Sequence, residues 1–224
     1  MAIYIRTLTV IYDNDIKNGE VPLFRGAVLN SIGESVDLLY HNHTGENTFR
    51  YSYPLIQYKR LHGKAAVVCV DNGVDVIGQF LTCMPEELKI GTRVIKPKVE
   101  RVIPSRNLVQ IWDSVFKYRI SRWIPLNGEN YQKYKETEGM AERLLLLESI
   151  LKGNLLSFLK GLDIYMEKEL TVKITSMDEP YLISNKGVKL MAFNACFVTN
   201  LSMPDNIGIG KNASIGYGVI TRSV

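Results

Sequence analysis

His41 and His43 stand two residues apart in the run Leu-Leu-Tyr-His-Asn-His, and the whole chain has only three histidines. Imidazole is the side chain whose unperturbed pKa lies near neutrality, so it both accepts a proton from a nucleophile and returns one to a leaving group. In an extended segment, residues i and i+2 project to the same side, which suits paired proton transfer or a shared metal ion. A metal site needs further ligands, and none stands at a recognisable spacing, so neither metal nor cofactor is expected. The plainer reading makes both histidines turn residues beside a helix end. His62, in Leu-His-Gly-Lys, reads as a turn residue.

A second stretch is patterned for binding. Residues 208–218 read Gly-Ile-Gly-Lys-Asn-Ala-Ser-Ile-Gly-Tyr-Gly, with Gly208, Gly210, Gly216 and Gly218 enclosing an insert that carries Lys211. Paired glycines at such spacing suit positive φ angles or a ligand pressed against bare backbone. Successive exposed N–H groups in a glycine-rich turn make a concavity that takes anions, phosphate above all. A dinucleotide fingerprint needs a strand, a helix and a βαβ unit around it, yet eleven residues follow Ala213. A Walker-type loop needs Gly-Lys-Ser/Thr at its close, which is missing. A flexible hairpin before a last strand is the plain alternative.

The order glycine-hydrophobic-glycine, five residues including a basic one, glycine-hydrophobic-glycine near a C-terminus resembles the glycine-rich loop of the RAMP superfamily of CRISPR-associated RNA-binding proteins. Gly208, Ile209, Gly210, Lys211, Gly216, Tyr217 and Gly218 match it position by position. The histidines, placed soon after a first helix, are similar to those of the repeat-processing branch, the Cas-six type CRISPR endoribonucleases. The resemblance spans essentially the whole chain, and the glycine loop is its specific part. It implies tandem ferredoxin-like (RRM-like) domains, a CRISPR repeat RNA as partner, and His43 and His41 as catalytic residues. Members often pair the histidine with a tyrosine or lysine; here Tyr53 and Lys59 are candidates beside Tyr40 and Tyr51, and spacing does not choose among them. Tyr51 and Tyr53 equally suit stacking on bases or filling a core.

RNA supplies its own nucleophile. The ribose 2′-OH attacks the adjacent phosphorus once one group removes its proton and another protonates the departing 5′-oxygen. A cyclic phosphate results, and no metal is required. The expectation is a metal-independent endoribonuclease that cuts CRISPR precursor RNA within repeats. The competing reading is a non-catalytic RAMP subunit that binds guide RNA, and the histidine pair argues against it. A nucleotide-binding enzyme using the glycine loop is disfavoured by the missing downstream fold. The resemblance leaves room for a homodimer and for a place in a CRISPR effector complex.

The elements that must hold these groups read as α+β. The 224 residues are 46% hydrophobic, ample for one large domain or two small ones, and the net charge of +4 makes charge distribution more telling than its total. No apolar run approaches a membrane span and no signal peptide opens the chain, so a cytoplasmic protein is expected. Cys69, Cys83 and Cys196 read as buried thiols. Alternation over 3–11 predicts a strand; Pro22 opens a helix that Gly33 stops; 65–70 reads as a strand, Asn72-Gly73 as a turn, and 74–84 as a second helix.

Between Lys89 and Arg106 six cations face the single acid Glu100. Read as a strand over 94–103, this segment turns Lys96 and Lys98 away from Ile95, Val99 and Ile103. A strand over 111–124 puts Trp112, Phe116, Tyr118, Ile120 and Ile124 on one side and Lys117, Arg119 and Ser121 on the other. Lys96, Lys98, Lys117 and Arg119 thus read as a phosphate-tracking strip or as solvated faces. Residues 129–152 read as a helix with a leucine stripe, with Gly153-Asn154 ending it and capping the next. Leu145 and Leu146 widen that stripe, by doubled core contact or a subunit interface. Strands at 170–175, 188–200 and 215–221 complete the chain. A boundary at 104–107 divides residues 1–107, with the histidines, from 108–224, with the glycine loop.

Overall fold

The computed structural model describes residues 3–32, 43–44, 48–49, 53–76, 78, 81, 85–185 and 187–223. The chain folds into two compact units, one of Tyr4–Asn107 with Ser214–Gly216, the other of Met1–Ile3, Leu108–Ala213 and Tyr217–Val224.

In the first unit β1 (Ile3–Asp15), a 3-10 turn and α1 (Val21–Ile32) lead to a hairpin of β2 (His43–Thr44) and β3 (Thr48–Phe49), then β4 (Ile56–Leu61) and β5 (Lys64–Val70). A small hairpin, β6 (Leu88–Ile90) with β7 (Arg93–Ile95), precedes the long β8 (Val99–Val109). The sheet order β4-β5-β1-β8 is that of a ferredoxin-like fold, the last strand beside the first and the third beside the second. Alternation decides the two faces. Val10 and Tyr12 of β1, Ile56 and Tyr58 of β4 and Val67 and Cys69 of β5 meet Val21, Phe24 and Val28 of α1 in one core. The Phe24 ring meets Tyr12 and Tyr58 edge-on, at 5.9 and 5.7 Å between centroids. The alternate residues Ile11, Gln57, Lys59, Ala66 and Val68 are also buried.

The second unit repeats that topology. β9 (Ile111–Trp123), α2 (Gly128–Glu136), α3 (Met140–Gly161), β10 (Val172–Met177), β11 (Tyr181–Asn185), β12 (Val188–Leu201) and β13 (Val219–Arg222) follow in turn. The sheet runs β10-β12-β9-β13, with β11 pairing the first half of β12. The chain is therefore α+β with tandem ferredoxin-like folds, as expected. The second fold has the glycine-rich loop where the last crossover helix would stand.

Four expectations need correction. Lys96 and Lys98 lie in the connection 96–98 between β7 and β8, since Pro97 cannot donate to a ladder. Gly153-Asn154 does not end a helix. The break comes at 137–139, where the Thr137 hydroxyl donates to the Lys133 carbonyl at 2.7 Å, and α3 runs on through Asn154. The face of β9 is not continuous, because register shifts against β12 bury Ile111 and Trp123 and leave Trp112 exposed. The last strand begins at Val219 rather than 215, residues 213–215 forming a 3-10 turn. The predicted helix over 74–84 lies largely outside the described residues. The thiol of Cys69 is buried and pushed up to about 12 by that burial, Cys196 is half-buried, and Cys83 lies outside the described residues. Among the described residues, no helix is long and apolar enough to cross a membrane.

Candidate RNA-processing site

His43 opens β2 and pairs with Phe49 of β3, while Thr44 pairs with Thr48, so the histidine sits on a short antiparallel pair of strands. His41, Tyr40 and Tyr51 lie outside the described residues. Downstream, the Tyr53 hydroxyl accepts a hydrogen bond from Gln57 Nε2 at 2.8 Å, and that amide also donates to the Pro54 carbonyl at 2.9 Å. Burial raises the Tyr53 pKa far above the usual phenol value, so it stays protonated at neutral pH. Lys59 is fully buried in β4, and desolvation lowers its pKa to about 7. Its Nζ has no hydrogen-bond partner among the described residues. His62 is a turn residue, φ +50, and with Gly63 at φ +90 it joins β4 to β5 through a two-residue turn with both φ positive.

The glycine pattern has a steric cause. Gly210, Gly216 and Gly218 sit at φ +75, +82 and +60. A Cβ at Gly218 would stand 2.0 Å from the Ile209 carbonyl oxygen, and one at Gly210 2.6 Å from Asn154 Oδ1. Gly216 belongs to the first unit, where a Cβ would approach Val21 at 3.4 Å, the Tyr58 carbonyl at 3.6 Å and Lys59 Cα at 3.8 Å. Gly208 bridges Val219 through the backbone. The same Asn154 oxygen accepts from the Trp123 indole N–H at 2.8 Å, so a helix residue and a strand residue together mould the loop at Gly210. Lys211 stands exposed in the insert. Gly218→Ala is therefore expected to disturb the loop more than Gly216→Ala, which meets strained φ but no clash. RNA titration of both variants checks this, and equal affinities would contradict it.

The cations differ in what already holds them. Lys98, Lys117 and Lys211 are exposed, with no acidic partner among the described residues. Arg119 pairs with Asp178 at 2.7 Å and Lys96 with Glu87 at 3.7 Å, both at the surface. Pairs of that kind contribute about 1 kcal/mol or less and exchange readily for a phosphate. Lys117→Gln and Lys211→Gln are each expected to lower the slope of log affinity against log salt by about one unit if their ammonium groups meet phosphates. An unchanged slope would remove that lysine from the RNA path.

Asn154 and Trp123, which shape the loop, and Arg122, at φ +54 in the β9 bulge, stand outside the site residues expected from the sequence. The Gly-Asn pair was the available signal, and it points as well to a helix end as to a distant contact with the loop.

The Cas6b N-terminal domain model matches residues 1–106, and the Cas6b C-terminal domain model matches residues 110–223. The chain belongs to the Cas6b family. An uncharacterized protein of Methanocaldococcus jannaschii is 34% identical over 134 residues, covering 57% of this chain and 90% of that protein. Among solved structures, a Cas6b shares 24% identity with a TM-score of 0.90, over 99% of this chain and 100% of that one. A second, described as the CRISPR RNA processing endoribonuclease Cas6b, shares 22% identity with a TM-score of 0.77 over the same shares. At those identities the likeness speaks for the fold, and the Cas6b domain matches carry the membership.

Proposed function

We propose that this Cas6b-family protein cuts CRISPR precursor RNA within its repeats to release guide RNAs, without a metal ion. The observation that carries the reading is the pair of Cas6b domain matches over residues 1–106 and 110–223, which together take in nearly the whole chain. The CRISPR RNA processing named for a solved structure of the same fold agrees with it.

In the proposed reaction one imidazole, His43 first and His41 second, takes the proton of the 2′-OH. The 2′-oxygen forms a bond to phosphorus, the P–O5′ bond breaks, and the departing 5′-oxygen is protonated by a second acid. The products are a 2′,3′-cyclic phosphate and a 5′-hydroxyl, and no electrons change hands. Tyr53 and Lys59, candidates for the second group, are respectively bonded to Gln57 and sealed from solvent in this structure. Gly208, Gly210, Gly216 and Gly218 shape a backbone cradle, and Lys96, Lys98, Lys117, Arg119 and Lys211 meet phosphates.

Cleavage of an RNA carrying a CRISPR repeat is expected to persist in excess EDTA and to leave an upstream fragment with a cyclic phosphate end, read by mass spectrometry. A linear 3′-hydroxyl end, or loss of cutting in EDTA with recovery on adding a divalent ion, would overturn the mechanism.

A further inference from the structure

Arg122 is a charged residue in a backbone state that few L residues adopt. Its φ of +54 lies in the bulge where the pairing of β9 with β12 slips between Trp123↔Phe193 and Ile120↔Ala195. Such a conformation persists where its surroundings over-determine it, and a bulge re-aims the side chain it carries. Both backbone groups of Arg122 are fixed. Its N–H donates to Asn194 Oδ1 at 2.9 Å, and its carbonyl accepts from the Gly218 N–H of the glycine-rich loop at 3.2 Å. The loop also holds the side chain, because the guanidinium lies 4.4 Å from the centre of the buried Tyr217 ring.

Among the described residues no carboxylate lies within ion-pair distance of Arg122, whereas Arg119 on the same strand has Asp178 at 2.7 Å. The Tyr181 hydroxyl, 3.4 Å from Asn194 Oδ1, is a neutral neighbour. A guanidinium stacked on an aromatic ring loses little of its in-plane donor fork, which matches two oxygens of one phosphate. Stacking also removes rotamer freedom before any ligand arrives.

We infer that Arg122, held over Tyr217 by the β9 bulge, takes one backbone phosphate of an RNA strand lying along the glycine-rich loop. This rests on the reading above that the protein binds repeat RNA, and adds a contact outside both the glycine pattern and the lysine strip.

The test titrates an RNA copy of a CRISPR repeat, with an oligouridylate of about the same length as the sequence-free control, over a range of salt. Arg122→Gln is expected to weaken binding about tenfold and to lower the salt slope by about one unit. Arg122→Lys, which keeps the charge but not the fork, should keep the slope and recover part of the affinity. Phenylglyoxal labelling of the wild-type protein, mapped by mass spectrometry, should find Arg122 protected by saturating RNA; this arm stands even where a variant does not fold. Labelling equal with and without bound RNA would overturn the inference, as would a wild-type slope in Arg122→Gln. A wild-type protein that binds neither RNA would instead bring down the proposed function itself.

Discussion

His43→Ala is expected to hold repeat RNA and scarcely cut it. Removing one general acid or base typically costs about 10²- to 10⁴-fold in rate, whereas an imidazole on a hairpin contributes only roughly 1 kcal/mol to affinity through a hydrogen bond. The residue pairs with Phe49 across a two-residue strand, so its backbone is placed by the hairpin and not by the imidazole. Its truncation should therefore leave the fold intact. His41→Ala should show an equal or smaller rate defect, equal where it is the second proton carrier and smaller where it only orients its neighbour. Replacing the 2′-OH at the cut by hydrogen should abolish cleavage by the wild-type enzyme while leaving binding nearly unchanged, because the nucleophile is then gone. Single-turnover cleavage at saturating RNA, set beside equilibrium binding, separates these outcomes. If both alanine variants and the double variant cut at the wild-type rate while folded, the histidines are turn residues and the protein is an RNA-binding scaffold.

Why the sequence spoke clearly in some places and not in others follows from the range of the interactions. The turn at His62 was legible because its chemistry, His62-Gly63 with both φ positive, is local. The glycine loop was legible because steric exclusion leaves its mark on the glycines themselves, as the 2.0 Å approach at Gly218 shows. The run of α3 past Gly153-Asn154 was not, because the bond that occupies Asn154 comes from Trp123 on a strand 31 positions earlier. The bulge at Arg122 was hidden likewise. It reverses which residues of β9 face inward, yet its cause is the pairing with the distant β12. β11 was missed since Tyr181 to Asn185 gains its strand character from pairing with β12, and Leu182 stays largely exposed. Of the site, residue types were legible and partners were not. Lys59 read as an available cation, and the fold encloses it.

Lys59→Met is expected to stabilise the protein at neutral pH and to remove the amine's share of the dependence of its stability on pH. The amine is fully buried in β4, and desolvation lowers its pKa from 10.5 to about 7. Above 10.5 neither the folded nor the unfolded chain protonates this group, so it contributes no pH dependence. As the pH falls from 10.5 towards 7, the unfolded chain binds a proton that the folded chain does not, and stability declines with each step. Below about 7 the folded chain takes the proton too, and the penalty stays at its full size. A depression of that extent corresponds to about 4 to 5 kcal/mol, and methionine, similar in length and without charge, removes it. The difference in urea midpoint between Lys59→Met and the wild type, measured from about pH 7 to about pH 10, should shrink as the pH rises, with the two curves converging at the alkaline end, the Cys69 thiol contributing equally to both. Parallel curves would show that the buried amine is not the titrating group. Cleavage by the same variant decides its part in the reaction: a rate near wild type at saturating RNA fits a supporting residue, and a loss of about 10²-fold with binding intact would make the amine a proton carrier in its own right.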